Sequence, residues 1–321
     1  MSRKKNLFLF FIMGSFFVFF LTNSTPVHQY ISVMKAESAK VSSMDDDSLR
    51  TQIEEWKQKN DEAPISAYLD RIWKAVPGYN GRIVEIDASL ENMRLKGIKA
   101  EEGLVYREIQ PDKSLEELGA HPTYRGNPKK PAVSFMVNVA WGNEYLEKIL
   151  ATLKKHQVKT TFFLDGSWVK KYPDLARKIK DEGHEIANHA YSHPDMSRLG
   201  ATRIREEIGK TQKVIEQTLG VRPTLFAPPS GSFNNSVVTI ALREFQMRTI
   251  LWTADTIDWQ KPPVDQMVAR IEKRLGNGVL VLMHPTAPSA AGLDQLLTLA
   301  KKRGLTVTTV SEVISSRRLS P

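Results

Sequence analysis

From Ala132 onward, short unbroken apolar runs alternate with longer segments in which apolar residues return every three or four positions. An unbroken run reads as a strand buried on both faces, and the longer period reads as a helix laid over it. The alternation therefore predicts parallel strands joined by crossover helices. Seven strands are predicted, near residues 132–139, 159–164, 185–189, 223–227, 248–252, 279–283 and 305–309, with helices such as 143–156, 169–182 and 201–219 between them. The implied fold is α/β, an irregular (β/α) barrel of about seven parallel strands, with a doubly wound open sheet as the competing arrangement. In both, chemistry belongs just past the strand C-termini.

Upstream the pattern changes. Leu49, Ile53, Trp56, Ile65, Leu69 and Ile72 recur at broadly helical intervals, broken near Ala63-Pro64, and 82–87 and 103–109 alternate as strands do. Residues 40–119 are accordingly predicted to form a small α+β domain. His121-Pro122, Gly126-Asn127-Pro128 and Lys129-Lys130-Pro131 give 120–131 the composition of a linker, which leaves 132–321 as the barrel domain.

The first 39 residues read as an address. Arg3, Lys4 and Lys5 precede the uncharged run Leu7–Leu21, which holds seven of the 13 phenylalanines. This is the basic and apolar order of an export signal. The run falls short of the roughly 20 residues of a full span, and no small-residue cleavage site follows it closely, so a signal peptide and a retained membrane anchor are both open. Either places the rest of the chain outside the cytoplasm, at the outer membrane face or cell wall, or secreted if the signal is cleaved. The absence of cysteine excludes disulfides, thiolate metal sites and a cysteine nucleophile. A net charge of +9 fits an anionic partner such as cell-wall polymer or membrane headgroups. A nucleic-acid partner is excluded by the export signal and by the lack of a basic stripe interleaved with aromatics.

The positions just past the predicted strands form a coherent set. They are Asn188-His189-Ala190-Tyr191-Ser192-His193-Pro194, Ala227-Pro228-Pro229-Ser230-Gly231, Trp252 through Asp255 to Asp258-Trp259, and Leu282-Met283-His284. Two histidines four apart face one metal if the turn between them is helical. Taken singly, however, His189 and His193 are ordinary hydrogen-bonded histidines, Asp258 a turn residue and the Pro-Pro segment a rigid loop.

As a set, these motifs resemble the polysaccharide deacetylase family, the NodB-like carbohydrate esterases, over about residues 130–315. Lys159-Thr-Thr-Phe-Phe-Leu and Gly183-His184-Glu185-Ile186-Ala187-Asn188-His189 complete the pattern. Within the family the chain is most similar to the sporulation-associated, membrane-attached branch of Gram-positive spore formers, since Ala140-Trp141-Gly142-Asn143-Glu144-Tyr145 replaces the usual Gly-Pro stretch. The resemblance implies a NodB-type barrel and a hydrolase that removes N-acetyl groups from a peptidoglycan-type glycan, the implied partner. It assigns His189 and His193 as metal ligands, with zinc the implied divalent ion. His284 becomes the general acid, Asp258 its carboxylate partner, Ser230 the oxyanion-hole residue, and Trp252 and Leu282 walls of the acetyl pocket.

The chain departs from that pattern where catalysis needs it most. The family's base position is Asn138, its metal carboxylate position is Val139, and the arginine supporting the base is Ala227. An amide takes no proton from water near neutral pH and a valine offers no donor, so any metal is expected to be weakly bound or absent. Two readings stay open. One is a metal-dependent deacetylase, with Asp165 or Asp255 replacing the missing carboxylate. The other is a catalytically silent member that binds glycan or a protein partner at the envelope during sporulation.

Overall fold

The computed structural model describes residues 25–319, so the Leu7–Leu21 run and the export reading built on it lie outside the described residues. The described residues form two compact units, one within 25–62 with 83–107, the other within 63–82 with 108–319.

In the first unit, helix α1 (Thr25–Asn60) presents Leu49, Ile53 and Trp56 to one cluster with Leu90, Met93 and Leu104. No described helix is long and apolar enough to cross a membrane. Helix α1 ends at Asn60, ahead of the expected break near Ala63-Pro64, but the helical spacing read beyond that break, through Ile65, Leu69 and Ile72, is corrected here: the chain goes on as an antiparallel pair, β1 (Tyr68–Asp70) and β2 (Lys74–Val76). Pro64 has no N–H to donate and disfavours helix before it. Asp70 then holds the turn, accepting from the N–H groups of Ile72 and Trp73 at 2.7 and 2.8 Å. Leu69 and Ile72, whose spacing suggested burial, are 52% and 62% exposed. Strand β3 (Gly81–Val84), helix α2 (Ile86–Lys96) and strand β4 (Tyr106–Ile109) follow, β3 pairing with β4.

The second unit, to which β1 and β2 also belong, carries the predicted barrel. In chain order its elements are β5 (Ala132–Val139), α3 (Asn143–Lys155), β6 (Thr161–Leu164), α4 (Gly166–Lys171), α5 (Pro173–Asp181), β7 (Glu185–Asn188), α6 (Ala201–Leu219), β8 (Leu225–Phe226), α7 (Asn235–Phe245) and β9 (Arg248–Thr249). They continue with β10 (Ala254–Asp255), α8 (Val264–Glu272), β11 (Val279–Met283), α9 (Ala287–Lys302), β12 (Thr306–Val307) and α10 (Val310–Ile314). All strands of this sheet are parallel, in the order β10-β11-β5-β6-β7-β8-β9, with β12 on the first residues of β5. Each of the seven predicted strands is present, and β10 is an addition.

Alternation along the strands sorts their side chains into two layers. Val133, Phe135, Val137 and Val139 join the helix-facing cluster with Leu146, Ile149 and Trp168. Met136, Phe163, Ala187, Leu225, Ala227 and Leu282 fill the inner cluster. Continuing the inner alternation two residues onward from Met136, Phe163 and Ala187 leads to Asn138, Asp165 and His189. The sheet thus aims polar residues of neighbouring strands at one end of its own interior.

The segment expected as a linker, 120–131, is built into this unit. Thr123, Asn127 and Lys130 are buried. The N–H of Thr123 donates to the Thr249 carbonyl at 2.9 Å, and the N–H of Gly126 donates to that of Gly278 at 2.8 Å. Thr123 pairs with Ile250 and Arg125 with Val279, so the segment is a strap between the β9 side and the β11 side of the curled sheet. Its prolines and glycines serve the strap's bends, which is why composition alone resembles a tether.

Candidate active site

At the mouth of the β10 and β11 ends, Asp258 is fully buried and surrounded by donors. Its Oδ1 accepts from His284 Nδ1 at 2.8 Å, and its Oδ2 from the His284 N–H at 2.7 Å, from Thr286 Oγ1 at 3.2 Å and from Ser289 Oγ. Burial pushes the Asp258 carboxyl up, but the bonds from His284 and Ser289 outweigh it and hold the group below the usual carboxylate range. With Nδ1 committed, His284 turns Nε2 outward, the geometry of an imidazole that hands on a proton. Trp141 stacks on this ring, centroids 5.7 Å apart and planes 11° from parallel. The next residue, Gly142, has φ 83°, and a Cβ there would stand 1.9 Å from the Pro285 carbonyl oxygen. Only glycine lets the chain turn into α3 while pressing Trp141 onto His284.

On the β6 to β8 side, His189 is 1% exposed and its Nδ1 lies 2.7 Å from the Ala227 carbonyl, which fixes Nδ1 as the donor and leaves the Nε2 lone pair toward His193 and the strand ends. Burial, with lesser effects from His193 and His284, pushes its pKa down to about 3, so the ring is neutral at physiological pH. His193 is lowered too, by desolvation first, while the Asp165 carboxylate pulls the other way. The two rings meet edge to face at 5.3 Å.

The loop carrying these histidines depends on a residue that the sequence reading missed. Glu207, on the buried stripe of α6, is fully buried and accepts from the N–H groups of Tyr191 and Ser192 at 2.9 Å each and from Ser192 Oγ at 2.8 Å. Arg203 completes its neutralisation at 2.7 Å. The signal was available, since a glutamate three residues after Ile204 and next to Ile208 interrupts an apolar face. These bonds hold a loop in which Ala190 and His193 both take left-handed backbone, φ 60° and 54°.

Asn138 is 3% exposed and its Oδ1 is buried without a partner. Val139 packs in the outer cluster. Asp165 Oδ1 accepts from the Trp168 N–H at 2.9 Å and so caps α4, whereas Oδ2 is buried without a partner. Burial raises its pKa against the opposing bonds from Ser167 and Trp168. Asp255 is taken by a turn, its Oδ1 accepting from the Ile257 N–H at 2.8 Å. Ser230 sits in left-handed backbone, φ 56°, with its side chain exposed. A Cβ on the adjacent Gly231 would lie 2.8 Å from Trp252, and Trp252 and Leu282 both pack on the inner cluster. The structure therefore gathers His189 with His193, His284 with Asp258, and the Ser230 loop with Trp252.

A zinc site normally takes three protein ligands and keeps one position open. Among the described residues, no group of three or more His, Asp or Glu side chains converges in that way. The two histidines supply neutral nitrogens, and the donor set falls one carboxylate short of the ion that the motif implies. Beyond His284, a groove of about 740 Å³ is lined by Trp141, Tyr145, Trp259, Lys261 and Pro263. Trp141 and Trp259 are 45% and 54% exposed, an apolar surface of the kind that marks a ligand groove.

The sequence profile of the polysaccharide deacetylase family matches residues 125–250. The Bacillus subtilis protein YlxY is 46% identical over 98% of this chain and 96% of its own length. The peptidoglycan-N-acetylmuramic acid deacetylase PdaA of the same bacterium is 30% identical over 61% of this chain and 76% of its own. Among solved structures, wild-type BA3943 of Bacillus anthracis, described as a CE4 family pseudoenzyme, matches with a TM-score of 0.80 at 42% identity, over 84% of this chain and 96% of that one. A mutant of BA3943 is described as having restored enzymatic activity, with a TM-score of 0.80 at 41% identity over 84% of this chain and 99% of that one.

Proposed function

Because the chain belongs to the polysaccharide deacetylase family, we propose that it is an envelope glycan-binding member in which deacetylation is silent. The observation that carries this reading is Asn138, which stands in the place of the family's base with its Oδ1 sealed from any partner. An amide there leaves no group to take the proton of an attacking water, and the two histidines hold zinc weakly without a charged third ligand. The description of BA3943 as a pseudoenzyme supports silence, and the names of the deacetylases of N-acetylated peptidoglycan sugars support the ligand class. The groove with Trp141 and Trp259 gives such a sugar two aromatic faces to lie on. The basic and apolar order of residues 3–21 supports export to the outer side of the membrane, where cell-wall glycan is found.

A second reading is a latent deacetylase, favoured by one observation: the Asp258–His284 pair is complete. The separating experiment measures binding of the purified chain to N-acetylglucosamine oligomers and to insoluble peptidoglycan, and follows acetate release with added zinc. The expected result is binding that weakens in Trp141→Ala, with no acetate released. Acetate release that disappears in His284→Ala overturns silence, and failure to bind either glycan overturns the ligand assignment.

A further inference from the structure

Arg248 opens β9 at the N-terminal end of the parallel strands, opposite to the end that carries His189, His193 and His284. The residue is 8% exposed. Its Nη2 donates to the Leu115 carbonyl at 3.1 Å, while Nη1 is shut off from water and from every acceptor. No carboxylate forms an ion pair with it among the described residues, and the field of Glu116 does not offset the desolvation that lowers its pKa. A guanidinium buried on one carbonyl is costly, because a buried charge normally needs an opposite charge at contact distance.

Arg248 forms part of the wall of a cavity of about 550 Å³, together with Ser114, Glu116, Gln246, Ser311 and Ser315. Glu116 is the one acidic side chain in that wall. A second buried cation stands behind it: Lys130 is fully buried, and its ammonium donates to the Glu312 carbonyl and, at 2.9 Å, to that of Ser315. Other acidic groups nearby are committed, Glu185 to Ser311 and Glu312 to Arg317 at 3.0 Å. Arg248, a buried cation without a carboxylate contact, thus borders a space large enough for more than an inorganic ion.

We propose that this cavity is a second ligand site, separate from the deacetylase-like centre, which takes a small molecule through an oxyanion group seated on Arg248. Guanidinium geometry matches carboxylate and phosphate oxygens alike. Inorganic phosphate and acetate are therefore the two probes, each titrated calorimetrically into the full chain at constant ionic strength held with chloride. The expected result is one saturable site per chain for at least one probe, with a rise in Tm from binding to the folded state. Arg248→Gln should weaken it by about tenfold or more, Glu116→Gln should tighten it, and His284→Ala should leave it unchanged. The stronger probe identifies the oxyanion as phosphate-like or carboxylate-like. Should Arg248→Gln fail to fold, Arg248→Lys keeps the charge without the planar fork and is expected to bind more weakly. No saturable heat with either probe, or unaltered affinity in the folded Arg248 variant, overturns the proposal.

Discussion

The two halves of the candidate active site differ in how their polar atoms are satisfied. On the β10–β11 side, both oxygens of Asp258 are occupied by four hydrogen bonds from three residues. On the β5–β6 side, Asn138 Oδ1 and Asp165 Oδ2 are buried with nothing to bond. The satisfied half also holds the fold together: Asp258 joins the end of β11 to the start of α9, where Thr286 caps the helix by accepting from the Ser289 N–H at 3.3 Å. A pair that stabilises the barrel persists whether or not it turns over substrate. An intact His–Asp pair is therefore weak evidence of catalysis, and the bare oxygens of the other half are the more telling feature.

The contrast can be broken most forcefully by restoring the deficient half. Asn138→Asp, Val139→Asp and Ala227→Arg together should raise acetate release from N-acetylglucosamine oligomers in the presence of zinc by on the order of 10² to 10⁴. Unchanged release in the folded triple variant would mean that the deficiency lies elsewhere. A smaller but sharper effect is expected in stability. Asp258→Ala strands His284, Thr286 and Ser289 and should cost about 3 to 5 kcal/mol in urea denaturation. Asn138→Leu removes an unsatisfied oxygen and should stay within about 1 kcal/mol of the wild type. Equal losses in the two variants would erase the distinction.

The smallest effect concerns acid. Burial pushes His189 down to about 3 and His184 to about 4, against about 6.5 in an unfolded chain. The unfolded state therefore takes up these protons first. The stability that the neutral rings confer is complete above about pH 6.5 and is lost as pH falls from there toward 4, by up to about 1.4 kcal/mol per unit for each histidine. Denaturation midpoints between neutrality and pH 5 should show this slope, and His189→Gln should reduce it. A pH-independent midpoint over that range would show that the rings are not buried in neutral form.

Much of this was legible in the sequence because strands buried on both faces leave unbroken apolar runs. Ala132–Val139 and Val279–Met283 coincide with their predicted spans. The two-residue β10 was not legible, since a pair such as Ala254–Asp255 has no period to detect. The predicted runs at 223–227 and 248–252 were also longer than the ladders β8 and β9, because the chain leaves the sheet for loops that remain buried. Motif spacing placed His189, His193, Asp258 and His284 at strand ends. It could not show that Asp165 and Asp255 are spent on a helix cap and a turn, or that Glu207 reaches back from the following helix to anchor the histidine loop. Those facts depend on which side chain meets which backbone N–H, and spacing does not encode that.

The strap at 120–131 bears on how the barrel can be handled and how it matures. A fragment beginning at Ala132, the boundary that composition suggests, would leave the backbone groups of Thr249, Leu251 and Gly278 that now bond to Thr123 and Gly126 without partners. Such unpaired strand margins invite pairing between molecules, and the trimmed barrel should emerge as an aggregating product where one that keeps the strap stays soluble. The same clasp links residues made early in synthesis to strands made more than a hundred residues later, so closure must await nearly the whole chain, a long-range step that slows folding.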